Sequence, residues 1–131
     1  MKKSRPIPSK KKVLAIAEAA LDKKALDIVI LNVKDLCSYT DFFIITSGTS
    51  DVHVQSVGEG IVSFMKTKGE KPLGTEGMRH GHWVLLDFDD VIVHVFYRPM
   101  REFYGLERLW ADAKILALPS ESKKKTRTRR T

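Results

Sequence analysis

The stretch that decides the fold is Trp83-Val84-Leu85-Leu86-Asp87-Phe88-Asp89-Asp90-Val91-Ile92-Val93-His94-Val95-Phe96. Both arms are rich in Val, Ile, Leu and aromatic residues, which suit a pleated, buried surface. Asp89-Asp90 lies between them, where a two-residue hairpin loop belongs. Such a loop sets the register: Leu86 opposite Val93, Leu85 opposite His94, and Trp83 opposite Phe96. Side chains alternate faces along a strand. One face is then Val84, Leu86, Phe88, Val91, Val93, Val95 and Tyr97, almost wholly apolar. The other is Trp83, Leu85, Asp87, Ile92, His94 and Phe96, which is mixed. The first face must be covered. The second could be covered too, or could bind something.

Working outward, residues 41–46 form a strand that is apolar throughout (Phe42, Phe43, Ile44, Ile45), and residues 25–33 form another with apolar side chains on both faces. Both read as covered strands. Ser47-Gly48-Thr49-Ser50-Asp51 joins a strand to a helix that runs to about Lys68. Ser50 is placed to cap it, and Asp51 suits the positive end of the helix dipole. Val54, Val57, Ile61, Phe64 and Met65 make its buried stripe. Gly58 and Gly60 are out of place inside a helix, each costing ~1 kcal/mol relative to Ala, and they suggest close packing. An earlier helix, capped by Ser9, carries Val13, Ile16, Ala17, Ala20 and Leu21 on one stripe. Residues 71–77 read as a short edge strand. A last helix begins at Pro99 and carries Met100, Phe103, Leu106 and Trp110, with Gly105 interrupting it. The fold class is α/β: one domain, a five-stranded mixed sheet flanked by helices.

A chain of 131 residues can bury a core without staples. Its single cysteine, Cys37, excludes an internal disulfide and fits a reducing compartment. Its longest apolar runs fall well short of the roughly 20 residues a membrane span needs. Met1-Lys2-Lys3-Ser4-Arg5-Pro6 has no apolar core behind it and is no secretory signal; short and Pro-broken, it is a poor organellar presequence. The formal charge of +7 is unevenly spread: residues 1–12 carry +6 and residues 121–131 carry +5, which leaves −4 for the rest. The expected organisation is therefore a basic disordered tail over 1–12, a domain over 13–118 and a second basic tail over 119–131. Basic tails favour nucleic acid, whereas an acidic body fits a basic protein partner.

Three constellations compete. Ser47-Gly48-Thr49-Ser50 could cradle phosphate with its backbone N–H groups, with Asp87 and Asp89 on Mg²⁺, as in nucleotidyl transfer. Against that, Asp89-Asp90 is where the turn must be, Asp forms turns, and no lysine follows the Gly-Thr-Ser. Histidine chemistry would draw on His53, His80, His82 and His94, but they are spread over a helix, a loop and a strand and lack a defined third metal ligand. Cys37 and Ser38 have no assignable His or acidic partner. Third, Trp83 follows the polar loop Met78-Arg79-His80-Gly81-His82, as an interaction hot spot would. Equally, Trp83 could be core, stacked on Phe96.

The hairpin stretch, together with Asp41-Phe42-Phe43-Ile44-Ile45-Thr46-Ser47-Gly48-Thr49-Ser50-Asp51-Val52-His53-Val54 and Arg101-Glu102-Phe103-Tyr104-Gly105-Leu106-Glu107-Arg108-Leu109-Trp110, resembles the three signatures of the ribosomal silencing factor (Iojap-like) family. The match runs over residues 13–112 with the motifs in order. The resemblance implies a nucleotidyltransferase-like sandwich without the catalytic carboxylates, a role that is not enzymatic, and no cofactor or metal. It implies binding to ribosomal protein L-fourteen of the large subunit, a block on joining of the small subunit, and repression of translation when nutrients run short. It also implies a homodimer when free, a cytoplasmic setting and no membrane partner. It places Trp83 and its hairpin neighbours on the surface that meets the partner; the residues expected to bind it are Trp83, Leu85, Arg79 and His94, with Arg101 and Tyr104 at the head of the last helix. Asp89 stands where the family usually has Gly, which alters turn type, and Gly58 and Gly60 replace better helix formers. The tails lie outside the family core and could add attraction to ribosomal RNA. The rival readings are a nucleotidyltransferase-fold enzyme and an RNA-binding protein that works through its tails.

Overall fold

The computed structural model describes residues 8–118. Ten elements follow in chain order: α1 (Ser9–Asp22), β1 (Leu26–Asn32), β2 (Phe42–Gly48), α2 (Asp51–Thr67), β3 (Gly74–Glu76), β4 (Trp83–Asp87), β5 (Val91–Tyr97), α3 (Arg98–Tyr104), α4 (Leu106–Leu109) and β6 (Lys114–Leu116). The strands form one mixed sheet in the order β3-β4-β5-β2-β1-β6. It has six strands where five were expected. The sixth, β6, is three residues long with Lys114 and Ile115 exposed, so it lacks the alternation that marks a half-buried strand. Pairing with β1 is what makes it a strand, with Leu31 opposite Ile115.

The β4–β5 register is the expected one: Trp83 pairs with Phe96, Leu85 with His94 and Leu86 with Val93. Asp89 takes a positive φ of 78° in the turn. Beside the hairpin, β2 runs parallel to β5 over seven pairs, from Phe42 opposite Val91 to Gly48 opposite Tyr97. A parallel pair needs a long crossover, and α2 supplies it. Every residue of β2 is buried, as its unbroken apolar run requires.

The two faces of the sheet are covered unequally. α1 and α2 pack on one, around Val13, Ile16, Val57, Ile61, Met65, Val84, Leu86, Val93 and Val95. Each fully buried aliphatic side chain there contributes about 1.5–3 kcal/mol. On the opposite face a smaller cluster of Leu31, Val33, Phe43, Ile45 and Phe96 is covered by α3, α4, the segment after them and Cys37. The expected last helix is two short ones, because Gly105 adopts a left-handed conformation (φ 59°) that closes α3. Met100, Leu106 and Trp110 pack inward as expected, but Phe103 points to solvent, 76% exposed.

The basic N-terminal segment ends sooner than expected. α1 starts at Ser9 with Pro8 at the N-cap, so Ser9 does not cap it. Lys12 is buried in its first turn, where its Nζ donates to Asp90 Oδ1 (2.6 Å) and Phe88 O (3.2 Å) and pairs with Glu70 (3.3 Å). Burial would lower its pKa, but the hydrogen bond and charge of Asp90, with Glu70, outweigh that and raise it. Lys12 therefore fastens the hairpin turn to α1. Residues 1–7 and 119–131, which make up most of the two expected tails, lie outside the described residues. They hold nine Lys and Arg and one Glu, so of the formal +7 the described body carries −1. Among the described residues no helix is long and apolar enough to cross a membrane.

The two helix glycines answer to different neighbours. A Cβ on Gly58 would lie 2.9 Å from Met78 Sδ and 3.2 Å from Val84 Cγ1, whereas on Gly60 it would meet the Lys23 side chain at 2.7 Å. Lys23 is exposed and can swing aside; Val84 is in the core. Gly60→Ala should therefore raise stability by up to about 1 kcal/mol through helix propensity. Gly58→Ala should lower it by about 1 kcal/mol through overpacking, both read from urea unfolding midpoints.

Candidate functional site

The thinly covered face carries the site. On β4 and β5 the side chains of Trp83, Leu85, Asp87, Ile92, His94 and Phe96 share it, because they pair across the ladder in register. The parallel β2–β5 pairing adds Phe43 opposite Ile92 and Ile45 opposite His94. β3 adds Glu76, opposite Leu85 at the sheet edge. The Trp83 ring lies 4.9 Å from Phe96 and 5.9 Å from His94, centroid to centroid. Its Nε1–H donates to His94 Nδ1 at 3.1 Å. His94 meets Phe43 edge-on at 5.5 Å, and Phe43 meets Trp110 edge-on at 5.0 Å. Such edge and offset contacts are the arrangements aromatic quadrupoles favour.

α3 is seated on this stack by Arg101. Its Nη1 donates to Ser47 Oγ (2.9 Å), and Nε and Nη2 donate to the two carboxylate oxygens of Glu107 (3.0 and 3.1 Å). The Ser47 bond fixes the helix at the end of β2, and the forked pair ties α3 to α4. Tyr104 is thereby brought against Trp83, with centroids 4.5 Å apart, while 42% of Tyr104 stays exposed. Trp83 is half-buried against Phe96 and Tyr104, which also lie 6.0 Å from each other. The two readings of Trp83 therefore merge: it stacks on Phe96 and still reaches the surface.

Of the residues suggested for partner binding, Trp83, Leu85, His94 and Tyr104 come together. Arg101 is engaged underneath with Ser47 and Glu107, and its side chain is 12% exposed. Arg79 sits apart on an exposed turn, where its carbonyl and that of Met78 accept from Gln55 Nε2 at 2.8 and 3.1 Å. His94 is 7% exposed, and burial alone pushes its pKa down to about 4. It is neutral near pH 7, and with Nδ1 accepting from Trp83 its own proton sits on Nε2. Sequence reasoning missed Phe43 and Glu76 as members of this face. Their place follows from pairings between strands distant in sequence, which no local pattern reports.

The Ser47–Asp51 junction is occupied by the chain's own groups. Thr49 N donates to His53 Nδ1 (2.9 Å), Val52 N to Asp51 Oδ1 (2.8 Å), His53 N to Ser50 Oγ (3.1 Å) and Val54 N to Ser50 O (2.9 Å). Ser50 is the N-cap of α2, as expected. Thr49 N–H, which would help to cradle a phosphate, and the N–H groups of Val52, His53 and Val54 in the first turn of α2 are thus already bonded internally. Asp87 Oδ1 accepts from the backbone N of Asp89, which serves the turn. Among the described residues no group of three or more His, Cys, Asp or Glu is placed to hold a metal ion.

The titration of His94 makes a prediction about stability. In an unfolded chain the imidazole binds its proton near pH 6.5, whereas in the fold it does so only near pH 4. The unfolded state therefore takes up protons first as pH falls. The stability is complete above pH 6.5 and drains away as pH falls through 4, by about 3 kcal/mol in all. Urea midpoints measured over this range should fall more steeply for the wild type than for His94→Leu, which has nothing to titrate at that position.

A family model described as "Ribosomal silencing factor during starvation" matches residues 6–131. The Bacillus subtilis protein "Ribosomal silencing factor RsfS" is 39% identical over 111 residues, spanning 84% of this chain and 94% of its own length. A mouse relative, "Mitochondrial assembly of ribosomal large subunit protein 1", is 32% identical over 91 residues, covering 67% of this chain and 40% of the mouse protein. A solved structure from Chromobacterium violaceum superposes with a TM-score of 0.79 at 29% identity, over 86% of this chain and 93% of that one. The chain belongs to the ribosomal silencing factor family.

Proposed function

We propose that the protein represses translation by docking on ribosomal protein L-fourteen of the large subunit and standing where the small subunit must join. The reading rests on family membership, and the half-covered face around Trp83 gives it a physical form. An aromatic half inside and half outside the fold, at the edge of a sheet, suits a hot spot: the scaffold holds it rigid and a partner can complete its burial. Leu85 and Ile92 extend the apolar patch, and Glu76 and Asp87 on the same face would meet cationic side chains of a basic partner. The attraction is local, since the described body is close to neutral. No bond is made or broken; affinity and bulk do the work. The internally bonded Ser47–Asp51 junction favours this reading over nucleotidyl transfer.

In the same reading the free protein is a homodimer in the cytoplasm, and the basic segments at its ends add contacts to ribosomal RNA around the docked domain. Each phosphate they neutralise makes binding more salt-dependent.

Sedimentation with isolated subunits tests this. The protein should travel with large subunits and not with small ones. Trp83→Ala should keep its cooperative unfolding and weaken large-subunit binding by about 2 kcal/mol or more, roughly thirtyfold. Normal binding by the folded variant would remove Trp83 from the interface.

Deletion of residues 1–7 and 119–131, which spares the buried Lys12, should leave most of the affinity for L-fourteen and flatten the salt dependence. Loss of all binding on that deletion would favour the RNA reading.

A further inference from the structure

His94 is among the suggested contact residues, but its burial is hard to reconcile with touching a partner. It is 7% exposed and is enclosed by aromatic and aliphatic side chains: Ile45 and Leu85 are its neighbours across the ladders, and Phe43 lies edge-on. Its one polar contact within the sheet is the bond that Trp83 Nε1 donates to Nδ1. We propose that His94 is a positioning residue for this surface: it holds the Trp83 indole in one orientation through that bond and stays out of the partner's reach. This rests on the ribosomal reading above.

The ring contacts alone do not fix the indole. Phe96 and Tyr104 lie 4.9 Å and 4.5 Å from it but 6.0 Å from each other, so they do not clamp it from opposite sides, and neither distinguishes its N–H edge from its other edge. A hydrogen bond at Nε1 makes that distinction. The bond needs an acceptor that carries no proton, and burial keeps His94 neutral with no charged group contributing among the described residues. The indole therefore meets its partner already oriented, so less conformational freedom is lost on binding.

Two substitutions separate positioning from contact and from simple packing. His94→Leu fills the same space without an acceptor and buries nothing polar, so it should fold. Trp83 then loses its partner, and its Nε1–H, half-buried, turns to water. His94→Asn carries an oxygen at about the place of Nδ1 and cannot titrate. The readouts are the two indole Nε1–H signals in a ¹⁵N–¹H spectrum, with Trp83 assigned by comparison with Trp110→Phe, and the affinity for isolated large subunits.

In the Leu variant the Trp83 signal should move to its solvent-exposed position and affinity should fall about fivefold, the size of one net hydrogen bond. The Asn variant should restore both. A Leu variant that shifts the signal yet binds like wild type would overturn the proposal. So would an Asn variant that recovers the signal and not the affinity, since His94 would then act by contact. If wild-type protein ignores large subunits, the ribosomal reading itself falls, and an unmoved Trp83 signal in His94→Leu would separately dismiss the hold on the indole.

Discussion

The pairing of β2 with β5 is the constraint on which the rest depends. Seven residues of each run side by side in the same direction, and both strands lie in the middle of the sheet. Parallel neighbours cannot be joined by a tight turn, so the chain must leave the sheet and return, and α2 is that detour. The pairing also joins the N-terminal half, with β1 and α1, to the C-terminal hairpin. Because β2 is buried on both sides, any slip in register would drive Phe43 and Ile45 into the helical layer and Phe42 and Ile44 out of it.

From this follows the asymmetry that makes a site. α1 and α2 fully cover one face. On the other, among the described residues, α3, α4, the segment after them and Cys37 pack on the side nearer β2. What they leave half-open is the β4 side, with Trp83, Leu85 and Ile92. Arg101 sets the limit of that cover by tying α3 to Ser47 and Glu107. Lys12 does the corresponding work on the hairpin turn from the opposite face. Two charged side chains, each largely buried and each paired with a carboxylate, thus fasten what packs on either side of the sheet. Such groups are costly to bury alone and specific once paired.

The same economy explains why a strand-to-helix junction that looks built for phosphate is not open to one here. His53 reaches back to Thr49, and its Nε2 lies 2.9 Å from the carbonyl of Lys23 at the end of α1. The junction has become a connection between helices, held by the chain's own groups.

By itself the sequence determined the hairpin, its register and its two faces. Those depend on a period of two, a two-residue loop and the Val, Ile and Leu of adjacent positions, all local. It also determined β1, β2 and α2, whose apolar patterns are long enough to be unambiguous, and the capping role of Ser50. Only the tertiary structure decided the rest. β6 exists because β1 offers an edge, not because Lys114-Ile115-Leu116 favours a strand. Lys12 reads as one of a run of three lysines until Asp90 and Glu70 are placed beside it. The orientation of Trp83 is set by His94, Phe96 and Tyr104, and of these only the first two were within reach of the hairpin's own register. Contacts between residues far apart in the chain leave no periodic trace in it, and the cover that Tyr104, Phe43 and Glu76 add around the hairpin face is made of such contacts.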